Sequence, residues 1–157
     1  MPGYSSNALQ TVAQNNSVIF TTTEVPCNRG LVRHRDGTGS FLLSGYVPNT
    51  CNCGCRCNCS KSAEYLAYFG ANIAIPTGGT VEEISLALAI DGTIIPSSTM
   101  IITPAAVEQF FHVSCTEEVP IWKGCCESLS VINPSTQSIL VQNAKIIISR
   151  PDLYLSR

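Results

Sequence analysis

Residues 84–95 read Ile-Ser-Leu-Ala-Leu-Ala-Ile-Asp-Gly-Thr-Ile-Ile, and no other stretch restricts the fold as tightly. Ile84, Leu86, Leu88 and Ile90 alternate with Ser85, Ala87 and Ala89, which puts every large apolar side chain on one face of an extended strand. Asp91-Gly92 supplies the two positive-φ positions of a type I′ turn, and Thr93-Ile94-Ile95 begins the return strand. The small face suits close approach by a second sheet or by another subunit. Ser85, Ala87 and Ala89 are therefore interface candidates, together with Trp122, whose ring suits a rim, a core or a contact with glycan.

The rest of the chain repeats this texture. β-branched or apolar runs at Val18–Thr23, Phe41–Leu43, Tyr65–Phe69, Met100–Thr103 and Leu129–Ile132 are separated by Pro-, Gly- and Asn-rich punctuation such as Pro76-Thr77-Gly78-Gly79. Phe110–Val113 reads as a strand because its end is aromatic and branched, and Ile139–Arg150 reads as a buried central strand. No stretch of ten or more residues holds a helical stripe, and no fixed-period repeat is present. The expectation is an all-β, antiparallel β-sandwich of jelly-roll type. Residues 1–17 are expected to form a polar N-terminal arm, 18–150 the sandwich with a Cys-rich loop at 47–63, and 151–157 a C-terminal tail.

With 157 residues and 45% hydrophobic composition, one well-cored domain is the default. Eleven acidic and nine basic residues leave a net charge of −2, and the basic ones are scattered, which argues against a nucleic-acid face. No apolar run is long enough to span a membrane, and the first residues lack the basic and apolar regions of a secretory signal. Charged residues make up only 13%, a balance that favours self-association.

Nine cysteines are the chemical peculiarity. Cys51, Cys53, Cys55, Cys57 and Cys59 alternate with Asn, Gly and Arg in a segment whose composition favours a loop. Cys27, Cys115, Cys125 and Cys126 complete the set. An odd number cannot pair fully within one chain, so all nine are candidates for disulfides or cross-links, and a ring of subunits can absorb the remainder. Vicinal Cys125-Cys126 would need separate partners, with Cys115 near enough in sequence to pair with one of them. Buried thiol is the plain alternative for Cys27, Cys115, Cys125 and Cys126. A second alternative places zinc or copper on the Cys51–Cys59 thiolates, although structural zinc favours C-x₂-C over the C-x-C seen here. This cysteine load without a leader fits a virus particle or a spore surface.

Catalytic chemistry is poorly represented. His34 between Arg33 and Arg35, followed by Asp36, could activate Cys27, yet Arg33–Gly39 has the composition of a connecting turn. His112 lies in an aromatic strand, and the pairs Glu82-Glu83 and Glu117-Glu118 are adjacent, so an extended chain points their carboxylates apart. No catalytic residue is assigned, and no phosphate-binding loop is present.

The order of Tyr65–Pro76, the Ile84–Ile95 hairpin and the closing Asn133–Arg150 segment resembles the trimeric jelly-roll modules of the tumour-necrosis-factor and complement-C1q class. More closely, it resembles their bacterial relatives at the tips of collagen-like spore-surface (exosporium) filaments and in small structural proteins of prophages. The phrases that carry the likeness are Phe69-Gly70-Ala71-Asn72-Ile73-Ala74-Ile75-Pro76 and Asn133-Pro134-Ser135-Thr136 ahead of Leu140 and Asn143-Ala144. The resemblance implies a homotrimer packed about a threefold axis by one sheet of each sandwich, with a role in display, adhesion or assembly alongside other particle or spore-surface proteins. The chain departs from the filament proteins in having no Gly-x-y tract before the domain, and from the mammalian members in its five-cysteine run.

Overall fold

The computed structural model describes residues 1–27, 30–47 and 61–151. Among these it contains β1 (Gly3–Ser6), β2 (Gln10–Val12), β3 (Thr22–Val25), β4 (Val32–His34), β5 (Ser40–Gly45) and β6 (Ser62–Ala74). There follow β7 (Ile84–Ile90), β8 (Thr93–Ile94), a 3-10 turn at Pro96–Ser98, β9 (Met100–Ile102), β10 (Phe111–Trp122), β11 (Gly124–Ile132) and β12 (Ile139–Ser149). All pairings are antiparallel.

Two six-stranded sheets face each other. The first runs β10-β6-β12-β1-β3 with β2 beside β12, and the second runs β4-β5-β11-β7-β8 with β9 beside β7. Period-two alternation decides what lies between them. In β6 the odd positions Tyr65, Ala67, Phe69, Ala71 and Ile73 are buried in the core, while Glu64 and Tyr68 face out. Leu86 and Leu88 of β7, Leu129 and Val131 of β11, and Phe41 and Leu43 of β5 close the core from the second sheet. Phe20, Phe41 and Phe69 meet edge to face, with centroids 5.2 and 6.3 Å from Phe20.

The hairpin has the expected geometry: Asp91 and Gly92 take φ values of 50° and 83°, and Ile90 pairs with Thr93. Asp91 Oδ1 also accepts Ser128 N–H at 2.8 Å, fastening the turn to β11.

Four expectations need correction. The first 17 residues are no arm: β1 lies between β12 and β3, and β2 extends the same sheet. Tyr4 and Val12 are each only 3% exposed, so two well-placed apolar side chains and a backbone ladder suffice where sequence shows no apolar run. The branched run Val18–Thr23 is mostly a crossing, with Val18 and Phe20 buried and regular pairing beginning at Thr22.

Ala87 and Ala89 are both 0% exposed, covered by the protein's own atoms, and offer no surface to a subunit. Ser85 is half-buried and exchanges two hydrogen bonds with Ser135. The suggested bridge from Cys115 to the vicinal pair is not made to Cys126. The short connection at Lys123 passes between sheets, which places Cys115 in one sheet and Cys126 in the other.

Candidate functional site

The outer face of the first sheet presents an apolar row that crosses four strands. Register places Tyr68 opposite Ile147, Ile147 opposite Gly3, and Gly3 opposite Val25. Tyr68 is 38% exposed and Val25 49%. A hollow of about 260 Å³ sits on this row between Met1, Val25 and Ile147, with Lys145 and Glu24 at its rim. Glu24 is fixed there by Ser5 Oγ–H at 2.6 Å.

Beside the row, Gly70 makes room for two side chains. A Cβ on it would lie 3.3 Å from both His112 Cε1 and the Tyr68 hydroxyl. His112 Nδ1 lies 3.2 Å from Asn72 Oδ1, so Asn72 orients the ring across the strand pair. His112 is thus a hydrogen-bonded histidine exposed on this outer face.

At one end of the sandwich the end of β5, the start of β6 and the β10–β11 connection come together. β5 leads into the cysteine-rich segment and β6 leaves it; Lys123 N–H donates to Lys61 O at 2.9 Å, and Gly124 pairs with Gly45. Cys126 is exposed just beyond, lining a small hollow with Arg33 and Leu42. Trp122, 69% exposed, stands opposite Ser62, whose hydroxyl donates to Glu64 at 2.6 Å. Cys51, Cys53, Cys55, Cys57 and Cys59 lie outside the described residues, as does the side chain of Cys125.

A buried cation braces this end. Arg150, 3% exposed, donates to Tyr46 O at 3.0 Å and lies 4.9 Å from the Tyr65 ring centroid. Tyr65 donates its hydroxyl to Ser44 O at 2.6 Å, and burial raises its pKa against the opposing pull of Arg150. Ile139–Arg150 reads from sequence as a buried strand, but nothing local marks Tyr65 as the partner of Arg150.

His34 is a structural residue. Its Nδ1 lies 2.9 Å from Ser40 O and its Nε2 3.1 Å from Phe20 O, while the ring stacks on Phe41 at 4.2 Å. Both nitrogens are occupied by backbone carbonyls, so no lone pair is directed at Cys27. Burial pushes the neighbouring Tyr4 phenol up to about 12, with Cys27 and Asp36 adding to it. Burial likewise pushes the Cys115 thiol up to about 11, with Glu117 adding, the reverse of nucleophile activation. Among the described residues, no three His, Cys, Asp or Glu side chains are grouped to hold a metal ion.

Two antiparallel sheets in this strand order form a jelly roll, the fold also seen in the C1q globular domain. The globular domain of zebrafish complement 1qA superposes with a TM-score of 0.55 at 13% identity, covering 92% of this chain and 95% of that one. The C-terminal domain of EclA, described as a sugar-binding protein, matches at a TM-score of 0.38 and 14% identity, over 92% of this chain and 80% of that one. No protein-family model and no curated protein matches the sequence. Among the described residues, no helix is long and apolar enough to cross a membrane.

Proposed function

We propose that this protein is a non-enzymatic structural and display module that assembles as a homotrimer on a phage particle or spore surface. The observation that carries the reading is the apolar row Tyr68–Ile147–Val25 on the outer face of the first sheet. Three partly exposed apolar side chains in register across the sheet, with a hollow beside them, are costly on an isolated monomer and useful at a subunit seam. The C1q-like fold supports a binding or structural role. Trp122 remains an accessible interface candidate at the cysteine end; Ser85 is available only in part.

A second reading places zinc or copper on Cys51, Cys53, Cys55, Cys57 and Cys59. It is favoured by the position of Cys126 beside the strand that leads into that segment. Native mass spectrometry of metal-free protein, repeated after chelation and after reduction, separates the two. A trimer that survives chelation supports the display module, whereas a monomer holding stoichiometric metal establishes the thiolate site instead.

A further inference from the structure

The outer side of the second sheet carries a groove that the trimer reading does not use. It is shallow and open, about 480 Å³ in volume, and lies between the 15–19 and 37–40 segments with β11 as its floor. Every lining side chain is uncharged. We propose that this groove binds an uncharged saccharide.

The walls are held by backbone hydrogen bonds. Val18 N–H donates to Val131 O at 2.8 Å, Asn133 N–H to Asn16 O at 3.0 Å, and Phe20 N–H to Thr38 O at 3.0 Å. Gln10 grips the backbone of Ile19 twice, donating to its carbonyl and accepting from its N–H, both at 2.9 Å. The two walls touch at Gly39, where a Cβ would come 2.7 Å from Val18 O, so only glycine allows the approach. The groove is thus preformed, and a ligand would meet it with little ordering cost.

Apart from Thr38, whose hydroxyl donates to Arg35 O at 2.6 Å, its polar side chains are not spent on this scaffolding. Asn15, Asn16, Ser17, Ser40 and Ser130 line the groove, and none makes a side-chain hydrogen bond to another described residue. Ser17 and Ser130 are half-buried, while Ile19 and Ile132 add aliphatic surface between the polar groups. Amides and hydroxyls supply both donors and acceptors, which pair with vicinal hydroxyls, and the isoleucines suit the C–H faces of a sugar ring. The nearest charged pair, Arg35 and Asp36, stands outside the lining, and Asp36 is engaged by Thr23 at 2.7 Å. A uronate or sulfated sugar would find no cation in the groove.

The test is amide-resolved NMR of the ¹⁵N-labelled protein with cellotriose, mannotriose and triacetylchitotriose, and trigalacturonate as the charged control. The expected result is that at least one neutral trisaccharide at millimolar concentration shifts the amides of residues 15–19, 37–40 and 130–132. Ser130→Val should then weaken that binding about tenfold, the cost of one hydrogen bond, without moving the melting temperature. The proposal is overturned if none of the neutral sugars shifts those amides, if the shifts map elsewhere, or if trigalacturonate binds equally well. Wild-type shift mapping decides the matter even if the variant folds poorly. None of these outcomes depends on the oligomeric state.

Discussion

The hydroxyl of Ser98 accepts the backbone N–H of Leu88 at 2.9 Å, taking the place of a strand partner between β8 and β9. Ser98 in turn donates to Ile95 O at 2.6 Å and is 0% exposed. Ser98→Ala leaves a buried N–H without an acceptor and should cost about 1–3 kcal/mol. Urea unfolding measures this, and hydrogen exchange at Leu88 should accelerate by more than at Leu86.

Asn133 is the second polar tie. Its Nδ2 donates to Val12 O at 2.9 Å and Gln137 O at 3.0 Å, and its Oδ1 accepts Ser135 N–H at 2.9 Å. Asn133→Leu removes all three partners and should destabilise by at least about 3 kcal/mol, with β2 released first. Equal protection of β2 and β6 amides in the variant would sink this account.

At Gly39 an added Cβ would meet the Ser17 side chain and also the backbone Val18 O at 2.7 Å, and the second clash cannot be relieved by a rotamer change. Gly39→Ala should lower the melting temperature by several degrees, the equivalent of about 1–3 kcal/mol. Gly3→Ala, whose Cβ would meet nothing nearer than Ile147 Cγ1 at 3.9 Å, is the control expected to stay close to wild type.

On the outer face of the first sheet, Tyr68→Glu places a carboxylate in the apolar row. In the proposed assembly this shifts the native mass from trimer to monomer while the far-ultraviolet circular dichroism stays that of an all-β protein. A trimer indifferent to Tyr68→Glu and Val25→Glu would remove the seam from this face.

Cys115 sets a pH dependence at the alkaline end. Its thiol is raised from an ordinary 9.0 to about 11, so the unfolded chain loses this proton first as pH rises. The contribution to stability is therefore intact below pH 9.0 and declines as pH climbs towards about 11. Cys115→Ala should flatten the stability profile across that window. At neutral pH a maleimide should modify exposed Cys126 well before Cys115.

Much of the architecture was written in local patterns. The Ile84–Ile95 hairpin was legible because alternation and Asp-Gly turn chemistry agree at one place, and Ile139–Arg150 because a long branched run has few alternatives. The N-terminal strands were not, because Gly3–Ser6 has no periodic signal and is made a strand by β12 and β3 on either side. Ala87 and Ala89 looked like a seam since sequence shows that a face is small but not which atoms cover it. The outer-face row and the Tyr65–Arg150 brace were invisible for a related reason, as each joins residues far apart in the chain whose register only the sheet defines.

The position of β12 has a consequence for biogenesis. Residues 139–149 lie between β6 and β1, so until they leave the ribosome the first sheet is divided into a β10-β6 half and a β1-β3 half. Neither half can close over the core formed by Phe20, Phe41 and Phe69. Folding of this module accordingly waits for β12 and is governed by the slow search for distant partners, with the apolar faces of the earlier strands uncovered until that last strand arrives.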